Sequence, residues 1–191
     1  MAKVGLSQSF YAKYAYSNGA VTYSSGGSLG KAVECNIELS DTDPTIFYAD
    51  NGPAESAAAF SGGTLTITND SLPLAKVADI LGLTTAATTS PAGTTLSFPA
   101  DLTVPYVGYG TVAKMIVNNT AVWRGIVLYK VQFQIPKDEF TTQGENIEFS
   151  GHELTATILR NDLTPAEWKI VGDYTTEANA IAWVKSVLGI S

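Results

Sequence analysis

From Lys31 to Ser40 the side chains alternate, with Val33, Cys35, Ile37 and Leu39 at odd positions and Glu34, Asn36 and Glu38 at even ones. A strand points successive side chains to opposite faces, so this stretch predicts a half-buried strand with an acidic outer face. Thr64 to Thr68 repeats the pattern, setting Leu65 and Ile67 against three threonines. Between them lies the long 41–62 loop, far longer than a hairpin needs, and loops of that length are usually functional or disordered. Upstream, Phe10, Ala12 and Tyr14 alternate with Tyr11 and Lys13, which suggests a first strand. Turn residues at Asn18-Gly19 and Ser24–Gly27 then bracket a short Val21–Tyr23 piece.

The pattern changes period after Asn69. Leu74, Val77, Ala78 and Leu81 stand at i, i+3, i+4 and i+7, a one-sided helix that Asp70 or Ser71 can cap and Gly82 can end. The 84–99 stretch is rich in Thr, Ala, Ser, Pro and Gly and reads as a surface excursion. Tyr106 to Val117 and Gly125 to Ile135 read as long strands, with Asn118-Asn119 in a connection of about six residues. Gly108-Tyr109-Gly110 marks a close backbone approach or a bend within the first of them. From Glu145 to Leu159 the apolar positions switch from odd (Ile147, Phe149) to even (Leu154, Ala156, Ile158). A slip of one residue reverses a strand's faces, so a bulge is expected near Gly151-His152. A short strand over Trp168–Val171 and a last helix from about Thr176 to Leu188 complete the chain. In that helix Glu177 near the start and Lys185 near the end suit the helix dipole. The expected fold is mainly β (α+β): a two-sheet β-sandwich or partial barrel flanked by one or two short helices, in a single domain over residues 1–191.

Composition narrows the function classes. The chain has 191 residues, enough for one domain with a real core, and 45% hydrophobic residues argue against disorder. Eleven basic and eighteen acidic residues give a net charge of −7. A sequence-reading nucleic-acid binder usually carries a basic patch and none is visible, which also disfavours binding to a membrane surface. The N-terminal residues lack the apolar core of a signal peptide, and the single cysteine fits synthesis in a reducing cytoplasm.

Candidate chemistry is sparse. A Ser-His-Asp or Cys-His hydrolase would have to use His152, the only histidine, and its place beside Gly151 fits an ordinary histidine at a strand irregularity. Cys35 shares a strand face with Val33, Ile37 and Leu39, so a buried inert thiol is the simpler reading. One Cys and one His do not make a typical structural zinc site. Asp41-Thr42-Asp43 resembles the start of a calcium loop, but Thr45 and Ile46 stand where such a loop wants an oxygen ligand and a glycine. No catalytic residue, metal or cofactor is expected, and the chain is read as a non-enzyme.

Several pieces in series point to assembly instead. LGKAVECNIEL, FYADNGPAES and FSGGTLTITND, then PYVGYGTVAKM, LYKVQF and GENIEFSGHELTATI, resemble in the same order the major tail proteins of long-tailed bacteriophages, of the phi13 type. The resemblance covers most of the chain and implies a tail tube subunit. Six copies would form a ring whose inner sheets join into a continuous β-barrel, and rings would stack into the conduit for DNA ejection. It implies as partners the chain itself, the tape-measure protein and passing double-stranded DNA in the lumen, and the tail-tip and tail-terminator proteins. It places the protein in the virion tail, after synthesis and assembly in the host cytoplasm.

Within that reading Glu34 and Glu38 are candidate lumen acids, with Glu145 and Glu148 as weaker ones; an ordinary solvated sheet face is the competing reading. The 41–62 loop, with Ile46, Phe47, Tyr48, Asp50, Asn51, Glu55 and Phe60, is the candidate contact between stacked rings. Its apolar side chains suit burial at an interface; a loop folded back on its own protomer is the competing reading. The last helix is expected to pack on its own domain. The rival functions are the tube protein of a phage-derived particle or secretion system, and a β-sandwich carbohydrate-binding module.

Overall fold

The structure is a computed structural model that describes residues 2–40, 45–49, 52–57, 60–137 and 151–190. Two long antiparallel hairpins form its frame. The first joins β1 (Ala2–Ser17) to β2 (Ala20–Leu39), and the second joins β8 (Val107–Val117) to β9 (Thr120–Phe133). Each turn has only two residues. Asn18-Gly19 has φ of 51° and 79°, and Asn118-Asn119 has 48° and 65°. Two successive left-handed residues match the right-handed twist of the flanking strands, and Asn and Gly adopt that conformation most readily. The connection around Asn118-Asn119 is therefore two residues rather than about six, because pairing continues to Val117↔Thr120. The Val21–Tyr23 piece and the Lys31–Ser40 strand also prove to be one element, β2, running through Gly26-Gly27 and Gly30.

β5 (Gly63–Asn69) and β10 (His152–Leu159) complete a ring of antiparallel strands in the order β10-β5-β2-β1-β8-β9. Closure comes from β9, whose far edge is shared. Trp123–Leu128 pair with β11 (Lys169–Tyr174), and Lys130–Phe133 pair with β10. The seam joining β9 to β10 is short, with four residue pairs from Ala156↔Phe133 to Leu159↔Lys130. In place of two facing sheets, six strands close on themselves into a barrel, and a closed barrel removes exposed strand edges. The mainly β class and the two flanking helices match expectation.

The barrel interior holds Leu65, Ile67, Tyr109, Leu128, Phe133, Leu154 and Ile158, all essentially inaccessible. Helix α1 (Leu74–Leu81) adds Val77, Ile80 and Leu81 to this core, and the Tyr11 hydroxyl donates to Asp79 Oδ2 at 2.7 Å. Gly82, at φ 71°, ends α1 as its place in the pattern predicts. Neither Asp70 nor Ser71 caps the helix, whose N-cap is Pro73. Asp70 Oδ1 instead accepts from the Lys31 backbone N–H, which ties the chain to β2. The face predicted for β2 is only half realised: Cys35 and Ile37 pack on the core, while Val33 is 62% and Leu39 46% exposed. The register against β5 shifts between Ala32 and Glu34, leaving Val33 at a bulge, and Leu39 is the last residue of the strand.

Helix α2 (Glu177–Val187) builds a second core on the outside of the barrel, against β8, β9 and β11. Ala180, Val184 and Leu188 meet Phe10, Ala12, Val112 and Val127 there. Glycine permits this contact: a Cβ at Gly108 would stand 2.7 Å from Leu188, and one at Gly125 2.7 Å from Trp183. The close approach expected at Gly108-Tyr109-Gly110 is that of α2. Thr176 caps the helix, its Oγ1 accepting from the Asn179 N–H.

The 84–99 excursion contains a small hairpin, β6 (Thr85–Thr89) with β7 (Ala92–Leu96). Between β2 and β5 the chain forms a second separate hairpin, β3 (Thr45–Ala49) with β4 (Gly52–Ala57). Of the bulge expected near Gly151-His152, the odd-numbered apolar positions Ile147 and Phe149 lie outside the described residues, and from His152 onward β10 pairs with β5 without a register shift. The even-numbered Leu154, Ala156 and Ile158 face the core.

Candidate assembly surface

The register of β2, β5 and β10 builds one continuous outer face. Because Cys35, Ile37, Leu65, Ile67, Leu154, Ala156 and Ile158 turn inward, the alternate residues turn outward. Glu34 lies opposite Thr68, Asn36 opposite Thr66 and Glu38 opposite Thr64. The same threonines lie opposite Glu153, Thr155 and Thr157 of β10. These nine positions carry three carboxylates, one amide and five hydroxyls, and no cation. Glu34, Glu38 and Glu153 are exposed, and the Asn36 amide donates to Glu38 Oε1 at 2.7 Å.

The structure thus places both described lumen candidates, Glu34 and Glu38, on this outer face. It adds Glu153, which sequence reasoning missed. The alternation of Leu154, Ala156 and Ile158 already puts Glu153 on the outer side, but only the cross-strand register shows that β5 and β10 share a face with β2. Glu145 and Glu148 lie outside the described residues.

Among the described residues five lysines lie over aromatic rings: Lys76 over Tyr11, Lys114 over Trp123, Lys169 over Trp168, Lys185 over Phe10, and Lys130 over both Tyr106 and Tyr14. A ring's negative face attracts an ammonium group and holds it in place.

Of the ring-stacking candidates, Ile46, Phe47 and Tyr48 lie on β3 and Glu55 on β4, with Phe47 paired to Glu55. Asp50 and Asn51 lie outside the described residues. The segment read as a loop is therefore in part a hairpin arm, and its two strands form a sheet of their own. The arm leaves the barrel through a narrow neck, where the Ser40 N–H donates to the Gly62 carbonyl at 3.0 Å and the Ser61 hydroxyl to the Ser40 carbonyl at 2.8 Å. Phe60 belongs to the barrel: it packs on the core and its ring stacks on Trp168, centroids 5.0 Å apart and planes at 2°.

Beside this neck opens a cavity of about 460 Å³ whose lining includes Phe60, Tyr106, Lys130, Arg160 and Asp162. Asp162 Oδ2 accepts from Lys130 Nζ and from the Tyr14 hydroxyl, each at 2.7 Å. Hydrogen bonding by Lys130, and then by Tyr14, holds the Asp162 carboxyl below the usual carboxylate range. Burial, followed by the bond to Asp162, pushes the Tyr14 hydroxyl up to about 12.

The residues weighed for catalysis do not converge. His152 is exposed and pairs across the sheet with Asn69, while the Cys35 thiol accepts from the buried Tyr109 hydroxyl at 3.8 Å. Among the described residues no cluster of three His, Cys, Asp or Glu side chains could hold a metal ion, and no helix is long and apolar enough to cross a membrane. Compared with known proteins, the chain matches no protein-family model and no curated protein.

Proposed function

We propose that this chain is a structural, non-enzymatic tail tube subunit, copies of which assemble into stacked rings around a conduit for double-stranded DNA. The observation that carries the reading is the outer face of β2, β5 and β10, with Glu34, Glu38 and Glu153 and no cation at its nine outward positions. DNA is a dense polyanion, and lysines or arginines on a wall would bind its phosphates and hold it. A wall of carboxylates and hydroxyls repels the backbone over about 8 Å at physiological salt, and the duplex stays mobile. Six copies at −7 each carry −42 formally.

The closed barrel changes how such a wall is built. Both edges of β5 are already paired within the protomer, so the lining consists of the outer faces of complete barrels rather than sheets joined edge to edge through this strand. The β3–β4 arm, a sheet of its own between β2 and β5, is the element suited to reach a neighbouring ring. The resemblance to phage major tail proteins supports the same assignment, with the virion tail as location and with the tape-measure, tail-tip and tail-terminator proteins as partners. Negative-stain electron microscopy of the concentrated, purified protein tests it: rings or tubes are expected, and a protein that stays monomeric at every concentration and salt would overturn it.

A further inference from the structure

The cavity beside the neck has an electrostatic character opposite to that of the molecule. Its lining holds two cations, Lys130 and Arg160, against one carboxylate, Asp162, in a chain with a surplus of seven acids. Lys130 is committed: its ammonium is bonded to Asp162 and lies 4.4 Å from the Tyr106 ring centroid and 5.2 Å from that of Tyr14. Arg160 differs. It is exposed and, among the described residues, forms no hydrogen bond or close ion pair, its charge acting on the Asp162 carboxyl only as the last of the influences that lower it. A guanidinium offers five donors in a planar fork that matches a carboxylate. Phe60 and Tyr106 give the lining aromatic planes, and buried aromatic and arginine side chains are the groups that most often dominate binding between proteins.

We propose that this cavity is a carboxylate-binding site, and that its occupant is an acidic side chain of a second copy of this chain, held by Arg160. The proposal rests on the self-assembly reading above. It commits to a second copy because this chain carries eighteen acids against eleven bases, so a face of another copy brings surplus carboxylates to the Arg160 guanidinium. Asp162 is bonded to Lys130 and Tyr14 and is influenced least by Arg160, so the local surplus of positive charge falls on Arg160.

Sedimentation velocity on the full chain tests this with wild type, Arg160→Glu, Arg160→Gln and Arg160→Lys, at low and high salt. Wild type is expected to self-associate, less strongly as salt rises. Arg160→Glu and Arg160→Gln should weaken association at least about tenfold, the range expected for losing a close interfacial charge pair. Arg160→Lys should recover part of the loss. Circular dichroism checks the fold of each variant, and the neutral Arg160→Gln decides the matter if charge reversal disturbs folding. Association of Arg160→Gln as tight as wild type would overturn the proposal while leaving the tube reading standing. A wild-type protein that never associates would overturn both. A strictly monomeric protein whose Tyr106 resonances shift on titration with acetate would reassign the cavity to a free small anion, again overturning the proposal.

Discussion

Arg124 and Asp173 meet in a two-pronged ion pair, Nε to Oδ1 at 2.6 Å and Nη2 to Oδ2 at 2.7 Å, directly across the β9–β11 register. The Arg124 bonds hold the Asp173 carboxyl below the usual range. A lowered folded-state pKa adds stability above the ordinary carboxylate range, and this is lost as pH falls through the folded value. Both side chains are partly exposed, so the pair contributes at most about 1 kcal/mol. Urea unfolding of Asp173→Asn should show that deficit at pH 7, a smaller one at high salt, and almost none near pH 2.

The contact between α2 and the barrel has no room for a methyl group. A Cβ at Gly110 would collide with Val184 and crowd Leu188 at 3.1 Å, and one at Gly125 would stand 2.7 Å from Trp183. Overpacking typically costs about 1–3 kcal/mol, so Gly110→Ala or Gly125→Ala should lower the melting temperature by several degrees. Near-ultraviolet circular dichroism, sensitive to Trp183, should change with it. Gly110→Ala combined with Val184→Ala should lose less than the sum of the two single changes, because the residues are in contact.

Removal of the arm should spare the barrel. Ser40, Ser61 and Gly62 are already held together at the neck, so a short turn can replace residues 42–59 without separating β2 from β5. The shortened protein is expected to melt within a few degrees of wild type, as a monomer or single ring, and to form no tubes by electron microscopy. Normal tubes from it would refute a bridging role for β3 and β4.

Reversing charge on the free face tests the conduit directly. Glu34, Glu38 and Glu153 are exposed, and changing all three to Lys should cost little stability. Assembled tubes should then retain double-stranded DNA in a salt-dependent way, and particles carrying them should deliver it poorly. Undiminished infectivity with intact tails would remove these residues from the lumen.

Much of the local structure was legible because it depends on near neighbours. The period of Leu74, Val77 and Leu81 marks α1, and Leu154, Ala156 and Ile158 give the inward face of β10. What escaped is set by distant partners. Nothing in the alternation of β9 reveals that its edge is divided between β10 and β11, or that Glu153 shares a face with Glu34. The turn at Asn118-Asn119 was visible, but its length depends on how far pairing runs beyond Gly125. Phe60 looked like part of the arm because its partner, Trp168, lies more than a hundred positions away. The cavity was invisible for the same reason: Lys130 reads as an ordinary outward strand residue until Tyr14, Tyr106 and Asp162 gather around it.

The four-pair join between Lys130–Phe133 and Ala156–Leu159 has a mechanical consequence. A container tears where its stitching is shortest, and every other junction in this ring is longer. Under tension the molecule should therefore unroll along that line into an open curtain of strands, with both tight asparagine turns intact, and roll up again once released.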